Sequence, residues 1–127
     1  MKIKNIDHLV LTVANIDHTC KFYSNALGME IIEFADARKA LKFGNQKINL
    51  HPYRNEFEPK AFKPAPGSAD LCFITDLPII DVMEELKTKC VEIEDGPMER
   101  TGANGKIISI YLRDPDLNLI EISNYLE

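Results

Sequence analysis

Two imidazoles and two carboxylates stand out because each interrupts a strand-like aliphatic run. His8 lies in Ile6 to Val13, His51 ends Gln46 to His51, Asp70 lies in Ser68 to Thr75, and Glu121 lies in Asn118 to Ser123. Side chains alternate between the two faces of a strand, so parity decides whether these residues share a surface. Leu9 and Leu11 point away from His8, Ile48 and Leu50 away from His51, Leu71 and Phe73 away from Asp70, and Ile120 and Ile122 away from Glu121. A merely solvated sheet has no need to repeat that placement four times, and a concave polar site explains it. A mixed nitrogen and oxygen set suits divalent Mn, Fe, Co, Ni or Zn, with the carboxylates offsetting the metal charge. If three or four of these residues bind a six-coordinate ion, positions stay open for water or a chelating oxygen substrate, as a Lewis acid requires. His8, His51, Asp70 and Glu121 are the candidate metal ligands. His51 and Glu121 are also the candidates for proton transfer.

The elements that position these residues come in two similar runs. After the first strand, Asn15 to Asp17 offers helix caps, Cys20, Tyr23 and Leu27 recur at helical spacing, and Gly28 closes a helix over about 17–27. Met29 to Phe34, Ala37 to Phe43 and Gln46 to His51 read as strands. Prolines at 52, 59, 64 and 66 then make Pro52 to Gly67 an irregular linker or lid. Ser68 to Thr75 is a strand again, and Pro78 opens a helix with Ile79, Val82, Met83 and Leu86 on one face. Val91 to Glu94, Ile107 to Arg113 and Asn118 to Ser123 give three more strands. Each half is therefore β-α-β-β-β: module one spans about 1–51, the linker 52–67 and module two about 68–127 of a single 127-residue domain. Matching His8 to Asp70 and His51 to Glu121 leaves intervals of 43 and 51 residues, an eight-residue insertion placed in Glu94 to Lys106, where glycines and a proline indicate a loop. The fold class expected is α+β, two βαβββ modules forming a curved, partly closed mixed sheet around a polar cavity with helices outside.

Composition narrows the partners. Hydrophobic residues make up 45% and charged residues 28%, ordinary globular usage, and no apolar run approaches the roughly 18 residues of a membrane span. Fifteen basic against twenty acidic residues give a net charge of −5 with no basic stripe, which argues against nucleic acid. Three cysteines without a CxxC pair and an N-terminus unlike a signal peptide point to a reduced, cytoplasmic protein. They also argue against a thiolate zinc site.

At Ile6-Asp7-His8-Leu9-Val10-Leu11, at Phe22-Tyr23 with Leu27-Gly28-Met29, and at Arg113-Asp114-Pro115-Asp116 with Asn118-Leu119-Ile120-Glu121, the chain resembles the vicinal oxygen chelate superfamily. That superfamily holds glyoxalases, fosfomycin-modifying enzymes, extradiol dioxygenases and bleomycin-resistance proteins. Gly67-Ser68 and the Arg100 to Gly105 loop resemble the branch of glyoxalase domain-containing protein five and its bacterial relatives. The resemblance implies paired βαβββ modules, a divalent metal on the inner sheet face, and a homodimer. It places the family's first-strand ligand on His8 and its last-strand glutamate on Glu121. Asp70 stands where His or Gln is common, and His51 is set against a glutamate of bacterial glyoxalases, so the ligand set is not the glyoxalase one.

The leading expectation is a metal-dependent, glyoxalase-like or dioxygenase-like enzyme acting on a small substrate with vicinal oxygens by stabilising an oxyanion. His8, His51 and Glu121 would also supply the two-histidine, one-carboxylate set of an iron oxygenase. The rivals are a metal-free binding protein that sequesters a small molecule, and a noncatalytic regulatory protein on the same fold. Arg100, within the inserted loop, is the candidate for an anionic substrate group. Cys72 shares the parity of Asp70 and is read as packing, like Tyr23, Phe22, Met83 and Leu86.

Overall fold

A computed structural model describes residues 1–127, which divide into two units, Met1–Gly67 and Ser68–Glu127. Unit 1 contains β1 (His8–Val13), α1 (Ile16–Leu27), β2 (Glu30–Phe34), β3 (Arg38–Phe43) and β4 (Gln46–Pro52). Unit 2 contains β5 (Asp70–Ile74), α2 (Ile79–Thr88), β6 (Asp95–Gly102), β7 (Gly105–Arg113) and β8 (Leu119–Tyr125). The class is α+β with two βαβββ modules. In place of one partly closed sheet there are two separate four-stranded sheets, ordered β1-β4-β3-β2 and β5-β8-β7-β6. The first pair of each sheet is parallel and the others antiparallel, so the sheets are mixed.

The helices form for local reasons and dock through one apolar stripe each. Asn15 caps α1 by accepting from the His18 N–H at 3.0 Å, and Gly28 ends it in the left-handed region. Thr19, Cys20, Tyr23 and Ala26 face inward; of the residues read from the sequence, Cys20 and Tyr23 are buried and Leu27 is half-buried. Helix α2 has no side-chain cap of its own; Asn124 of β8 accepts from the Ile79 N–H at 2.7 Å, and Val82 and Leu86 are buried. The helix-side strand residues Leu11, Ile48, Leu50, Leu112, Ile120 and Ile122 form the core, each contributing about 1.5–3 kcal/mol if fully buried. The opposite face of each sheet carries the polar residues. No helix is long and apolar enough to cross a membrane.

The second strand of unit 2 differs from expectation. Val91 to Glu94 lies outside any strand, and Asp95–Gly102, read as loop from its glycines and proline, is β6, paired to β7. Gly96 and Pro97 mark a register irregularity between Asp95 and Met98, while Gly102 and Gly105 are the paired ends of a tight hairpin. Breaker residues can signal a bulge and a turn inside a ladder as readily as a loop.

The Pro-rich segment after β4 is irregular and packs onto unit 1. Phe57 places its ring 4.0 Å from the Arg38 guanidinium and edge-on to His51, with ring centroids 5.2 Å apart. Glu56 holds the turn by accepting from the Arg54 N–H at 2.9 Å and pairing with Lys60 at 3.5 Å.

Candidate functional site

Sheet register shows which positions correspond in the two units. Val10 pairs with Asn49 and Thr12 with His51 in unit 1, while Cys72 pairs with Glu121 and Ile74 with Ser123 in unit 2. With His8 matched to Asp70, the counterpart of Glu121 is Asn49, and His51 corresponds to Ser123. The pairing of His51 with Glu121 read from the sequence is therefore displaced by one same-face step. From His8 to Asn49 is 41 residues and from Asp70 to Glu121 is 51, so unit 2 is ten residues longer over this span. Part of that length enters the β6–β7 hairpin, whose strands have 8 and 9 residues against 5 and 6 in β2 and β3.

In unit 1 the two histidines are apart and have different surroundings. His8 is opposite Lys47 and His51 opposite Thr12, four positions further along the ladder, about 13 Å at the usual strand rise. His8 is exposed, and its Nδ1 lies 2.8 Å from Asp7 Oδ2, a pairing that lowers the Asp7 carboxyl below its ordinary range. With Nδ1 donating to Asp7, the Nε2 lone pair is directed outward, the arrangement metal-bound imidazoles use with a carboxylate behind them. His51 is only 4% exposed, and its Nε2 faces Arg38 Nη2 at 3.5 Å. Burial, then the neighbouring guanidinium, hold His51 below the usual histidine range, so it is neutral at pH 7. His51 Nε2 thus already faces a cation, which disfavours ligation of an ion through that nitrogen.

Unit 2 brings together three of the residues singled out. Glu121, Asp70 and Arg100 line one cavity of about 350 Å³, with Tyr111 and Glu94. Glu121 and Arg100 also line a second of about 390 Å³ with Cys72, Tyr111 and Tyr125. Ser109 Oγ donates to Glu121 Oε2 at 2.6 Å and lies 2.7 Å from Ser123 Oγ. Both serines are buried, so the carboxylate is oriented from inside the sheet. The Cys72 thiol, pushed up mainly by burial, stays protonated at neutral pH and is not a ready nucleophile.

No group of three or more His, Cys, Asp or Glu side chains able to hold a metal forms within either unit. His8 and Glu121 nevertheless fit a divalent cation one by one, each anchored through one donor atom by an outer partner, Asp7 or Ser109. Sequence reasoning missed Ser109 and Tyr111. Both lie on β7 within an apolar run, and only strand register places them beside Glu121.

Residues 5–122 match the Glyoxalase/Bleomycin resistance protein/Dioxygenase superfamily. Virulence protein STM3117 of Salmonella typhimurium is 60% identical over 126 residues, covering 99% of this chain and 88% of that protein. Its crystal structure aligns with a TM-score of 0.98 over 99% of this chain and 100% of that one. The glyoxalase domain-containing protein RDO1 of Mycosarcoma maydis is 50% identical over 98% of this chain and 70% of its own length. A lactoylglutathione lyase from Agrobacterium tumefaciens, at 20% identity and a TM-score of 0.75 over 98% of this chain and 96% of that one, shares the fold. The motifs around His8, Gly28 and Glu121, the doubled βαβββ order and these matches agree: the chain belongs to the glyoxalase/bleomycin resistance protein/dioxygenase superfamily.

Proposed function

We propose that this protein is a metal-dependent enzyme of glyoxalase-like or dioxygenase-like type acting on a small substrate with vicinal oxygens. The observation that carries the reading is the Glu121 carboxylate, fixed by Ser109 at 2.6 Å on the wall of an open cavity. Glu121 is the candidate ligand of unit 2, with Asp70 lining the same cavity, and His8, oriented by Asp7, is the candidate ligand of unit 1. A bound divalent cation would supply Lewis-acid stabilisation of negative charge on a substrate oxygen. Ser109 keeps Glu121 from rotating, which lowers the reorganisation cost of binding or of accepting a proton from substrate. His51, neutral and beneath Phe57, acts within unit 1 as a packing and hydrogen-bonding group, not as a ligand.

The test is elemental analysis and metal titration of purified wild type, His8→Ala and Glu121→Ala. About one divalent ion per chain in wild type and weakened binding in both variants is the expected result. Wild type that takes up no Mn, Fe, Co, Ni or Zn refutes the reading. A second reading, sequestration of a small molecule without chemistry, is favoured by the absence of three clustered donors within either unit and predicts that metal-free result. A homodimer belongs to the first reading. Ile6, Val10 and Ile74 leave apolar surface exposed at 63%, 45% and 50%, and light scattering giving a monomer mass would remove the dimer from it.

A further inference from the structure

The larger cavity of unit 2 has two charged lining residues, Arg100 and Glu121. Arg100 comes from β6 and is held in place although exposed. Its Nε donates to Tyr111 Oη at 3.0 Å and its Nη1 to the Glu99 carbonyl at 3.3 Å. Neither bond uses Nη2. On a guanidinium, Nε and Nη2 form one edge, the edge that takes the two oxygens of a carboxylate. Here Tyr111 Oη occupies the Nε half of that edge. Because Oη accepts from Arg100, its own proton is free to be donated, and Tyr111 lines the cavity directly opposite Glu121 in the β7–β8 ladder. The pair therefore presents two donors, Nη2–H and Oη–H, to a bidentate anion.

Asp70 lines only the smaller of the two cavities, and the other acidic groups nearby are engaged. Glu94, in the smaller cavity, is taken up by Arg113 through bonds of 3.0 and 3.1 Å, and Asp95 accepts from the Gly96 N–H at 2.9 Å. Glu121 accepts from Ser109 of β7. Charge in the larger cavity is thus divided, a cationic donor pair at Arg100 and Tyr111 and a carboxylate at Glu121. A complementary ligand is anionic at one end and carries a hydroxyl or other polar oxygen at the other.

We infer that Arg100 and Tyr111 form a carboxylate-binding subsite, and that the substrates of this protein are small hydroxy or oxo acids whose carboxylate is held there while the adjacent oxygen faces Glu121. The assignment deepens the enzymatic reading above and rests on it for the word substrate. The binding step does not depend on a metal. Tyr111 is a specificity-determining residue with a role the sequence did not suggest.

The test uses the full chain in EDTA at low ionic strength, titrated with lactate and with lactamide, which lacks the negative charge. The readouts are the Arg100 Nε–H signal by NMR and the fitted Kd. Lactate is expected to shift that signal saturably, and lactamide to bind at least about tenfold more weakly. Arg100→Gln should weaken lactate binding by about tenfold or more and Tyr111→Phe by about threefold or more, with backbone spectra preserved in both. Lactate binding unchanged in Arg100→Gln, or lactamide binding as tightly as lactate, overturns the subsite. Because the titration is metal-free, its failure beside intact metal uptake removes only the subsite, and its success beside absent metal uptake removes only the metal reading.

Discussion

Ser109 Oγ reaches Glu121 Oε2 at 2.6 Å although the two are not directly opposed in the ladder, where Ser109 faces Ser123 and Glu121 faces Tyr111. The bond runs diagonally across neighbouring strands. A carboxylate at the centre of a sheet is thereby oriented by a buried hydroxyl on a rigid element, which gives more positional control than a loop would.

Ser109→Ala should destabilise the protein by about 1–3 kcal/mol, because it removes a hydroxyl bonded to a charged group and leaves the buried Ser123 with one partner fewer. Urea denaturation checks this through a lower midpoint at unchanged slope. An unshifted midpoint would mean that the serine cluster has no net stabilising role.

Stability should fall as pH drops from 7 toward 5, in part through His51. Burial and Arg38 lower its folded pKa below the ordinary 6.5, so between the two values the unfolded chain binds more protons than the native one. The contribution is fully present above 6.5 and is lost as pH descends through the folded pKa. Phe57, Arg38, Glu56 and Lys60 surround the ring, and two of the three charged groups are cations that protonated His51 would repel. Melting temperature against pH for wild type and His51→Asn is the measurement. The variant should lack the His51 part of the slope, and parallel curves would contradict the assignment.

Gly96→Ala should cost more than about 2 kcal/mol, whereas Gly44→Ala should cost about 1 kcal/mol. Both glycines have positive φ, 99° and 51°. A Cβ at Gly96 would lie 2.5 Å from the Ser109 carbonyl oxygen and 2.9 Å from Ile110 Cα, and one at Gly44 would meet nothing within 4 Å. Thermal melts of the two variants separate backbone strain from collision; equal losses would show that the β6–β7 irregularity yields easily.

The amino-acid sequence by itself determined every element but β6, and the faces of those it determined. Alternation around His8, His51, Asp70 and Glu121, the helical spacing of Cys20, Tyr23 and Leu27, and the cap and stop at Asn15 and Gly28 are local signals, each set by a few neighbouring residues. The same signals at fixed order carried the family. Only the tertiary structure decided which residues stand opposite one another. Register depends on turn lengths and on pairing between strands distant in sequence, so Asn49 took the position counterpart to Glu121 where His51 had been expected. The glycines and Pro97 that read as loop lie within the paired strand β6, or at its turn to β7, because its partner β7 supplies a ladder that no local window reveals. Ser109 and Tyr111 acquired their places beside Glu121, and Arg100 its bond to Tyr111, for that reason: a sheet joins residues by hydrogen-bonded pairing across strands, and side chains close in space need share no pattern along the chain.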